Sequence, residues 1–382
     1  MRAMSQGNSA SATTQPWSVA TTQPWSVRMA DSVMKRGAPM SAQWHYENGV
    51  MLKAIEQVWQ KTGDDKYWAT IKEIVDQFID PAGNVRTYTV VEYNLDQVNP
   101  GKILFLLYKS TGDERYKHAI YLLREQLRWQ PRTNERGFWH KRIYPYQMWL
   151  DGIYMASPFY AEFANTFDDP AAFDDVAHQI TLIEKHTRDP KTGLLYHGWD
   201  ESKQQRWANP ETGLSPHFWG RAIGWYAMAI VDVLDHFPVD HPKRGAIIAV
   251  FERMVAALSN VQDQPTGLWY QVLDQGNRPG NYLEASASCM FVYAIAKGIR
   301  KGYLDKRCLA MAQRGYEGLL ENLIEVDALG LVNLHWTCGG AGLGGTPYRD
   351  GSFEYYIGEK VVTNDYKGVG PFIMASVEME NV

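Results

Sequence analysis

Two aspartates stand where an ionised side chain is costly, and a carboxyl group so placed can do acid–base chemistry. Asp151 lies in the segment MWLDGIYMASPF, which has no other charged residue between positions 148 and 161. A carboxyl group buried away from cations keeps its proton more readily, so Asp151 is a candidate general acid near neutral pH. Asp96, in LDQVNPGK, is the second candidate. Both have structural alternatives: Asp151 could bond to a loop, and Asp96 could cap the helix that includes Pro100.

Arg221 and Trp225 form a second candidate group, in the segment FWGRAIGWYAMA. Residues four apart share one face of a helix, so both side chains can reach the same ligand. The planar guanidinium of arginine matches a carboxylate, and an indole beside it offers a wall for a sugar-like ring. Packing in the core, or a salt bridge, is the alternative interpretation of both residues.

Polar side chains among aromatic rings mark the predicted loops. His197 lies in LLYHGWDES, and His140 with Lys141 lies in GFWHKRIYP, close in sequence to Trp149. A concave aromatic pocket with a few polar groups is the usual form of a small-ligand site. A structural role for either histidine stays open.

Tyr46 and His335 are two further candidates for the ligand site, chosen only by their positions in the chain. A structural role is the simpler interpretation of both. The glycine-rich segment Gly339–Gly345 follows them in the chain. It lacks the Lys-Ser/Thr pair of a phosphate-binding loop, so we expect a mobile lid or a tight passage near the site.

Helical periodicity dominates the elements that must position these side chains. Helices of one kind are apolar nearly all round, which predicts burial on every side, and they begin near residues 44, 93, 147, 217, 284 and 366. Amphipathic helices alternate with them, and short TGD turns at 62–64 and 111–113 predict antiparallel hairpins. Six inner helices ringed by six outer ones make an all-α (α/α)6 barrel. The predicted helices span 25–36, 44–61, 64–79, 99–110, 113–129, 148–167, 170–188, 218–237, 242–261, 285–301, 305–324 and 368–380.

Bulk composition narrows the function classes. A net charge of −5 leaves no basic surplus for a phosphate backbone, so we expect no nucleic-acid partner. No stretch is long and apolar enough to span a membrane, and the N-terminus has no apolar signal region. The three cysteines are widely spaced, which favours free thiols in a cytoplasmic protein without a structural metal or other cofactor. The sequence leaves the oligomeric state open.

Residues 1–24 stand apart from the rest, because the octapeptide ATTQPWSV occurs twice in succession, at 12–19 and 20–27. A repeat this short does not build a solenoid, so we interpret these residues as a flexible leader. The fold prediction is therefore one catalytic domain over residues 25–382.

The segments MWLDGIYMASPF, LLYHGWDES, FWGRAIGWYAMA and LDQVNPGK resemble glycoside hydrolase family 105 across residues 25–382. These are unsaturated rhamnogalacturonyl hydrolases, related to unsaturated glucuronyl hydrolases. The resemblance implies an (α/α)6 barrel that needs no metal. It implies a substrate left by polysaccharide lyases, with a 4,5-unsaturated uronic acid at its non-reducing end. Unsaturated galacturonyl-rhamnose is the substrate that the family suggests.

The resemblance also implies roles for individual residues. Asp151 would protonate C4 of the double bond and then, as a base, activate water for attack at C5, and Asp96 would be the second acid. The hydrated sugar is a hemiketal, which opens and releases the remaining saccharide. The matching substrate-binding positions are His197, Arg221 and Trp225, the hydrophobic positions Trp149 and Met155, and the loop pair His140 and Lys141.

Two other classes of protein remain as alternatives. A different (α/α)6 enzyme, such as a sugar epimerase or an inverting glycosidase, would need two positioned histidines or two acids that flank a long cleft. A non-catalytic sugar-binding protein would need the aromatic loops but no acid buried among apolar residues.

Overall fold

The structure, a computed structural model, describes residues 23–37 and 42–381, and its framework is helical. All twelve predicted helices are confirmed, with ends that shift by a few residues, and the short α12 is an addition. In chain order the helices are α1 (Trp25–Lys35), α2 (Tyr46–Thr62), α3 (Asp65–Asp76), α4 (Lys102–Thr111), α5 (Glu114–Trp129), α6 (Leu150–Thr166), α7 (Ala171–Thr187), α8 (Gly220–Leu234), α9 (Arg244–Ser259), α10 (Ala285–Arg300), α11 (Leu309–Asn322), α12 (Phe353–Gly358) and α13 (Tyr366–Met379).

Six helices form a closed inner ring in the order α2, α4, α6, α8, α10 and α13, and α13 packs back against α2. The outer helices α3, α5, α7, α9 and α11 each pack on the inner helix that precedes them, and α1 packs on α13 and α2. The sequence of α6 is apolar nearly all round because every residue from Leu150 to Ala164 is buried between neighbours. The predicted (α/α)6 barrel is confirmed.

The repeated TGD turns have one local cause. Gly63 and Gly112 end α2 and α4 with positive φ angles of 67° and 68°, a conformation that glycine adopts without strain. The next aspartate then caps the outer helix: the Asp64 carboxylate accepts from the Lys66 N–H at 3.1 Å, and the Asp113 carboxylate accepts from the Arg115 N–H at 2.9 Å. These short turns return the chain antiparallel, so the inner helices all begin at the same end of the barrel.

An internal proline in α6 is compensated by a neighbouring side chain. Pro158 has no N–H, so the Tyr154 carbonyl loses its usual partner within the helix. The Asn99 amide donates to that carbonyl instead, at 3.3 Å. This bond ties the turn before α4 to α6, directly below the candidate acids.

Short antiparallel strand pairs lie in the loops: β1 with β2, β3 with β4 and β5 with β6. Their bounds are β1 (Gln147–Trp149), β2 (Gly198–Asp200), β3 (Ile324–Val326), β4 (Val332–Leu334), β5 (Thr337–Cys338) and β6 (Val361–Val362). The β1–β2 pair matters most for the site, because β1 runs directly into α6 and β2 follows His197.

The two ends of the helical framework meet. Glu380, just after α13, accepts hydrogen bonds at its carboxylate from the Ser26 backbone N–H at 3.0 Å and the Ser26 hydroxyl at 2.6 Å. Lys61 at the end of α2 contacts the same carboxylate at 2.6 Å. Residues 1–22 lie outside the described residues, and with them nearly all of the predicted leader and the first copy of its repeat. Across the described ranges, none of the helices has the length and apolar character needed to cross a membrane.

Candidate active site

Asp151 and His197 meet where β1 joins α6. The strand pairing sets Trp149 opposite Gly198, and the Leu150 N–H donates to the His197 carbonyl at 3.0 Å. This register brings His197 Nε2 to 3.2 Å from Asp151 Oδ2. Neither atom forms a hydrogen bond of normal geometry with any described residue. The two buried polar atoms therefore face each other without another partner.

The tautomer of His197 is set from the other side of its ring. The Tyr356 hydroxyl lies 2.8 Å from His197 Nδ1, and both side chains are completely buried. When this hydroxyl donates to Nδ1, the ring proton sits on Nε2, beside Asp151. The sequence predicted Asp151 as an acid with no charged neighbour, whereas the fold adds an imidazole and places Asp151 in the first turn of α6.

Asp96 forms the second acidic centre and is buried with Lys141 and His140. Lys141 Nζ lies 2.5 Å from Asp96 Oδ2, and His140 Nε2 lies 3.4 Å from Asp96 Oδ1. Burial alone would raise the pKa of Asp96, but the Lys141 ammonium, with smaller contributions from His140 and His45, outweighs it and holds the pKa below its usual range. Burial also lowers the pKa of His140 to about 4, so His140 is neutral at pH 7.

The backbone explains why these residues converge. The Leu95 N–H donates to the His140 carbonyl at 3.1 Å, and the His140 N–H donates to the Gln147 carbonyl at 2.9 Å. Asn94, not Asp96, acts as the capping residue here, because its side chain accepts from the Asp96 N–H at 3.0 Å. The Asp96 carboxylate is thereby free to pair with Lys141.

Trp149 is the aromatic centre of the site. Its indole stacks on His140 with ring centroids 4.6 Å apart and on Tyr144 at 4.8 Å, and it meets His197 edge to face at 5.5 Å. A glycine beside the acid permits this arrangement, since a Cβ on Gly152 would lie 3.0 Å from His140 Nδ1. Trp149 therefore connects the Asp96 centre to the Asp151 centre.

Arg221 and Trp225 share one face of α8, but both are 1% exposed. The Arg221 Nη1 donates to the Cys338 carbonyl and to the Ser286 hydroxyl at 3.4 Å, and it lies 4.0 Å from Glu284 Oε1. Nη1 thereby holds β5, and binding of a substrate carboxylate by Arg221 stays a prediction. The Nε of Arg221 has no partner among the described residues.

Trp225 is likewise part of the barrel interior. Its indole stacks on Tyr154 at 4.9 Å and meets the Tyr46 ring edge to face at 6.1 Å. The indole is buried against these rings, and its role as a wall for a sugar ring stays a prediction. Tyr46, which is half-buried, covers Trp225 and interacts electrostatically with both Arg221 and Asp96.

Of the remaining predicted residues, His335 stands apart from this group, whereas Met155 shares a face of α6 with Asp151. His335 is partly exposed and pairs with Glu325 Oε2 at 2.8 Å and Thr363 Oγ1 at 3.0 Å, so its ring is bound within the β3–β4 and β6 loops. Met155 lies one turn after Asp151 and is buried in the hydrophobic core. Neither side chain contributes a polar group to the site.

The glycine-rich segment is bonded to its surroundings, and its role as a mobile lid or a tight passage stays a prediction. Leu343 is completely buried and packs with Trp149 and Trp207. Arg349 closes the segment, donating from Nε to the Gly344 carbonyl at 2.7 Å and from Nη2 to the Tyr144 hydroxyl at 2.8 Å. The segment therefore forms a fixed wall over Trp149.

Sequence reasoning missed Tyr356, Tyr144 and Leu343. The signal that could have located Tyr356 is the start of α12, where the Ser352 hydroxyl accepts from the Tyr355 N–H at 3.1 Å. A serine followed by the amphipathic run FEYYIG is an N-cap pattern, although the helix it begins is short.

Comparison with known proteins assigns the family. The family model described as Glycosyl Hydrolase Family 88 matches residues 17–382. The chain belongs to this family. A solved glycoside hydrolase from family 105 of C. acetobutylicum ATCC 824 is 49% identical to this hydrolase, with a TM-score of 0.93, and the match covers 94% of this chain and 100% of that one. The predicted assignment to family 105 is thereby confirmed.

Curated relatives agree with that assignment. Protein Atu3128 of Agrobacterium fabrum (strain C58 / ATCC 33970) is 42% identical over 230 residues, which are 59% of this glycoside hydrolase and 97% of the relative. Unsaturated rhamnogalacturonyl hydrolase YesR of Bacillus subtilis (strain 168) is 29% identical over 271 residues, 69% of this chain and 74% of the relative.

Proposed function

We propose that this glycoside hydrolase releases a 4,5-unsaturated uronic acid from the non-reducing end of oligosaccharides that polysaccharide lyases produce. The observation that carries the proposal is the Asp151–His197 pair, 3.2 Å apart, with neither facing atom bonded elsewhere in the described chain. A pair that shares a proton can deliver it to carbon and take one back from water. The name of the B. subtilis relative supports rhamnogalacturonan as the source of the substrate.

In the proposed reaction, the Asp151–His197 pair gives its proton to C4 of the double bond. Positive charge then develops at C5, where a water molecule adds as the same pair takes up one of the water protons. The product is a hemiketal, which opens and releases the remaining saccharide. The pair ends in its starting protonation state, so the cycle consumes one water and no other reactant.

The remaining predicted residues receive roles that their contacts allow. Lys141, the partly exposed cation of the Asp96 centre, is the candidate for the uronate carboxylate, and Arg221 can add its Nε. Asp96 keeps Lys141 charged, because the carboxylate outweighs burial and raises the pKa of the ammonium. His140 is neutral and stacks on Trp149, so its proposed role is to hold that indole beside the sugar.

The proposal includes the extent and location of the enzyme. The closed ring from α1 to α13 supports a single catalytic domain over residues 25–382. Three unpaired thiols, Cys289, Cys308 and Cys338, support a cytoplasmic location, since reducing compartments keep cysteines free.

The decisive assay follows the ultraviolet absorbance of the conjugated double bond with lyase products of rhamnogalacturonan, homogalacturonan and glycosaminoglycans. We expect the absorbance to fall with the rhamnogalacturonan product, and to fall faster with it than with the homogalacturonan or glycosaminoglycan products. The matched control is the same oligosaccharide with a saturated terminal uronic acid, which this mechanism leaves intact but an inverting glycosidase would cleave. An epimerase would change a sugar without releasing one, and no loss of absorbance with any product would reject the proposal.

A further inference from the structure

A cavity of about 910 Å³ lies beside the proposed site. Three tyrosines line it, Tyr144, Tyr348 and Tyr355, and its planar polar side chains include Gln147, Gln205 and Glu359. Rings with polar edges, mixed with amide and carboxylate groups, suit the apolar faces and the hydroxyl groups of saccharides. The volume lies near the top of the range of about 300–1,000 Å³ that small-ligand pockets occupy, so the cavity has room for more than one sugar.

The cavity shares two walls with the site. On one side Tyr144 stacks on Trp149, the indole that contacts His197. On the other side the Tyr355 ring lies 5.2 Å from the ring of Tyr356, whose hydroxyl bonds to His197. On each of these two sides the cavity is therefore one ring away from a ring that contacts His197.

The walls are held in place by bonds within the protein. Tyr355 Oη accepts from the Gly342 N–H at 3.0 Å, and Tyr348 Oη accepts from the Trp207 N–H at 2.8 Å. Arg349 bonds to the Tyr144 hydroxyl and to the glycine-rich segment, as described above. A wall fixed in advance loses little conformational entropy on binding, which favours affinity for a flexible oligosaccharide.

We infer that this cavity binds the sugars beyond the one joined to the unsaturated uronic acid, so the enzyme prefers oligosaccharides longer than a disaccharide. The inference rests on the proposed function and adds a length preference to it. Gln205 and Glu359 are the residues most open to substitution, because they line the cavity and neither side chain is bonded to a residue of the Asp151 or Asp96 centres.

The test compares kcat/KM for an unsaturated disaccharide and for a tetrasaccharide of the same backbone. We expect the wild-type ratio of tetrasaccharide to disaccharide to exceed one. Gln205→Ala and Glu359→Ala should each lower that ratio about three- to tenfold, the worth of one lost hydrogen bond. Gln204→Ala is the matched control, since Gln204 is the exposed neighbour outside the cavity and should leave the ratio unchanged.

Every other outcome would overturn either the inference or the proposed function. A wild-type ratio of one, with the disaccharide consumed, would overturn the inference and leave the proposed function intact. A ratio above one that neither variant lowers would show that the extra sugars bind elsewhere, which also overturns it. Consumption of neither substrate would reject the proposed function, and the inference with it. Circular dichroism and melting temperature of each variant separate loss of binding from loss of folding.

Discussion

Replacing Lys141 with methionine should destabilise the protein in a pH-dependent way, because it leaves Asp96 buried without its cation. The two charged atoms are 2.5 Å apart, and their side chains are 22% and 9% exposed. Breaking a buried pair by removing one partner costs about 3–5 kcal/mol. Because Lys141 is partly exposed, we expect a loss just below that range, about 2–3 kcal/mol of unfolding free energy near neutral pH.

The sign of the pH dependence follows from the pKa of Asp96. In the wild type this pKa is lowered, so its contribution to stability is present above the unfolded value of about 3.9 and is lost as pH falls through the folded value. In Lys141→Met, burial dominates and should raise the pKa of Asp96. The variant then loses stability as pH rises through that higher value. The difference from wild type should therefore be largest near neutral pH and shrink toward about pH 4.

Urea unfolding at several pH values, followed by circular dichroism, measures this difference. The matched variants are Asp96→Asn and the double variant Asp96→Asn/Lys141→Met. Asp96→Asn should cost less than Lys141→Met, because water can reach the Lys141 ammonium that it leaves unpaired. The double variant should be more stable than the sum of the single losses predicts, by about 1–3 kcal/mol of coupling. Additive losses, or a destabilisation that is the same at every pH, would refute the assignment of a charged pair.

Three further outcomes are expected. Asp151→Asn should reduce kcat about 10²- to 10⁴-fold with little change in melting temperature, and a rate near wild type would remove Asp151 from the chemistry. Tyr356→Phe should reduce kcat about 5- to 100-fold, because His197 Nδ1 loses the contact that fixes the His197 tautomer. Steady-state kinetics across pH would measure the loss, and an unchanged pH profile of kcat would contradict this role of Tyr356. Leu343→Ala should cost about 2–5 kcal/mol or free the glycine-rich segment locally, which hydrogen exchange near Trp149 detects; unchanged protection would mean that the contact does not fasten the segment.

The architecture could be predicted because its determinants are local. Helical periodicity and the glycine–aspartate turns act within a few residues. They therefore predict the number and the order of the helices without information on which helices contact each other. The missed element, α12, is six residues long, too short for a periodic pattern to show.

The site was harder to predict because it depends on what distant segments add. The sequence placed Arg221 and Trp225 on one helix face, but it did not show that the Cys338 carbonyl and Tyr46 would cover them. It likewise showed Asp151 among apolar residues but not the imidazole that the β1–β2 register brings beside it. Burial of a side chain is decided by such partners, which no spacing within one segment reveals.

The contact between Ser26 and Glu380 joins residues 354 apart in sequence, and this has a kinetic consequence. A ribosome makes α1 and α2 first and α13 after every other described helix, so the apolar faces of α1 and α2 that pack on α13 wait for their partner throughout synthesis. Contacts of this separation slow folding and leave incomplete chains prone to association. Until α13 is made, the nascent chain is therefore an open ring whose apolar faces on α1 and α2 are exposed to association.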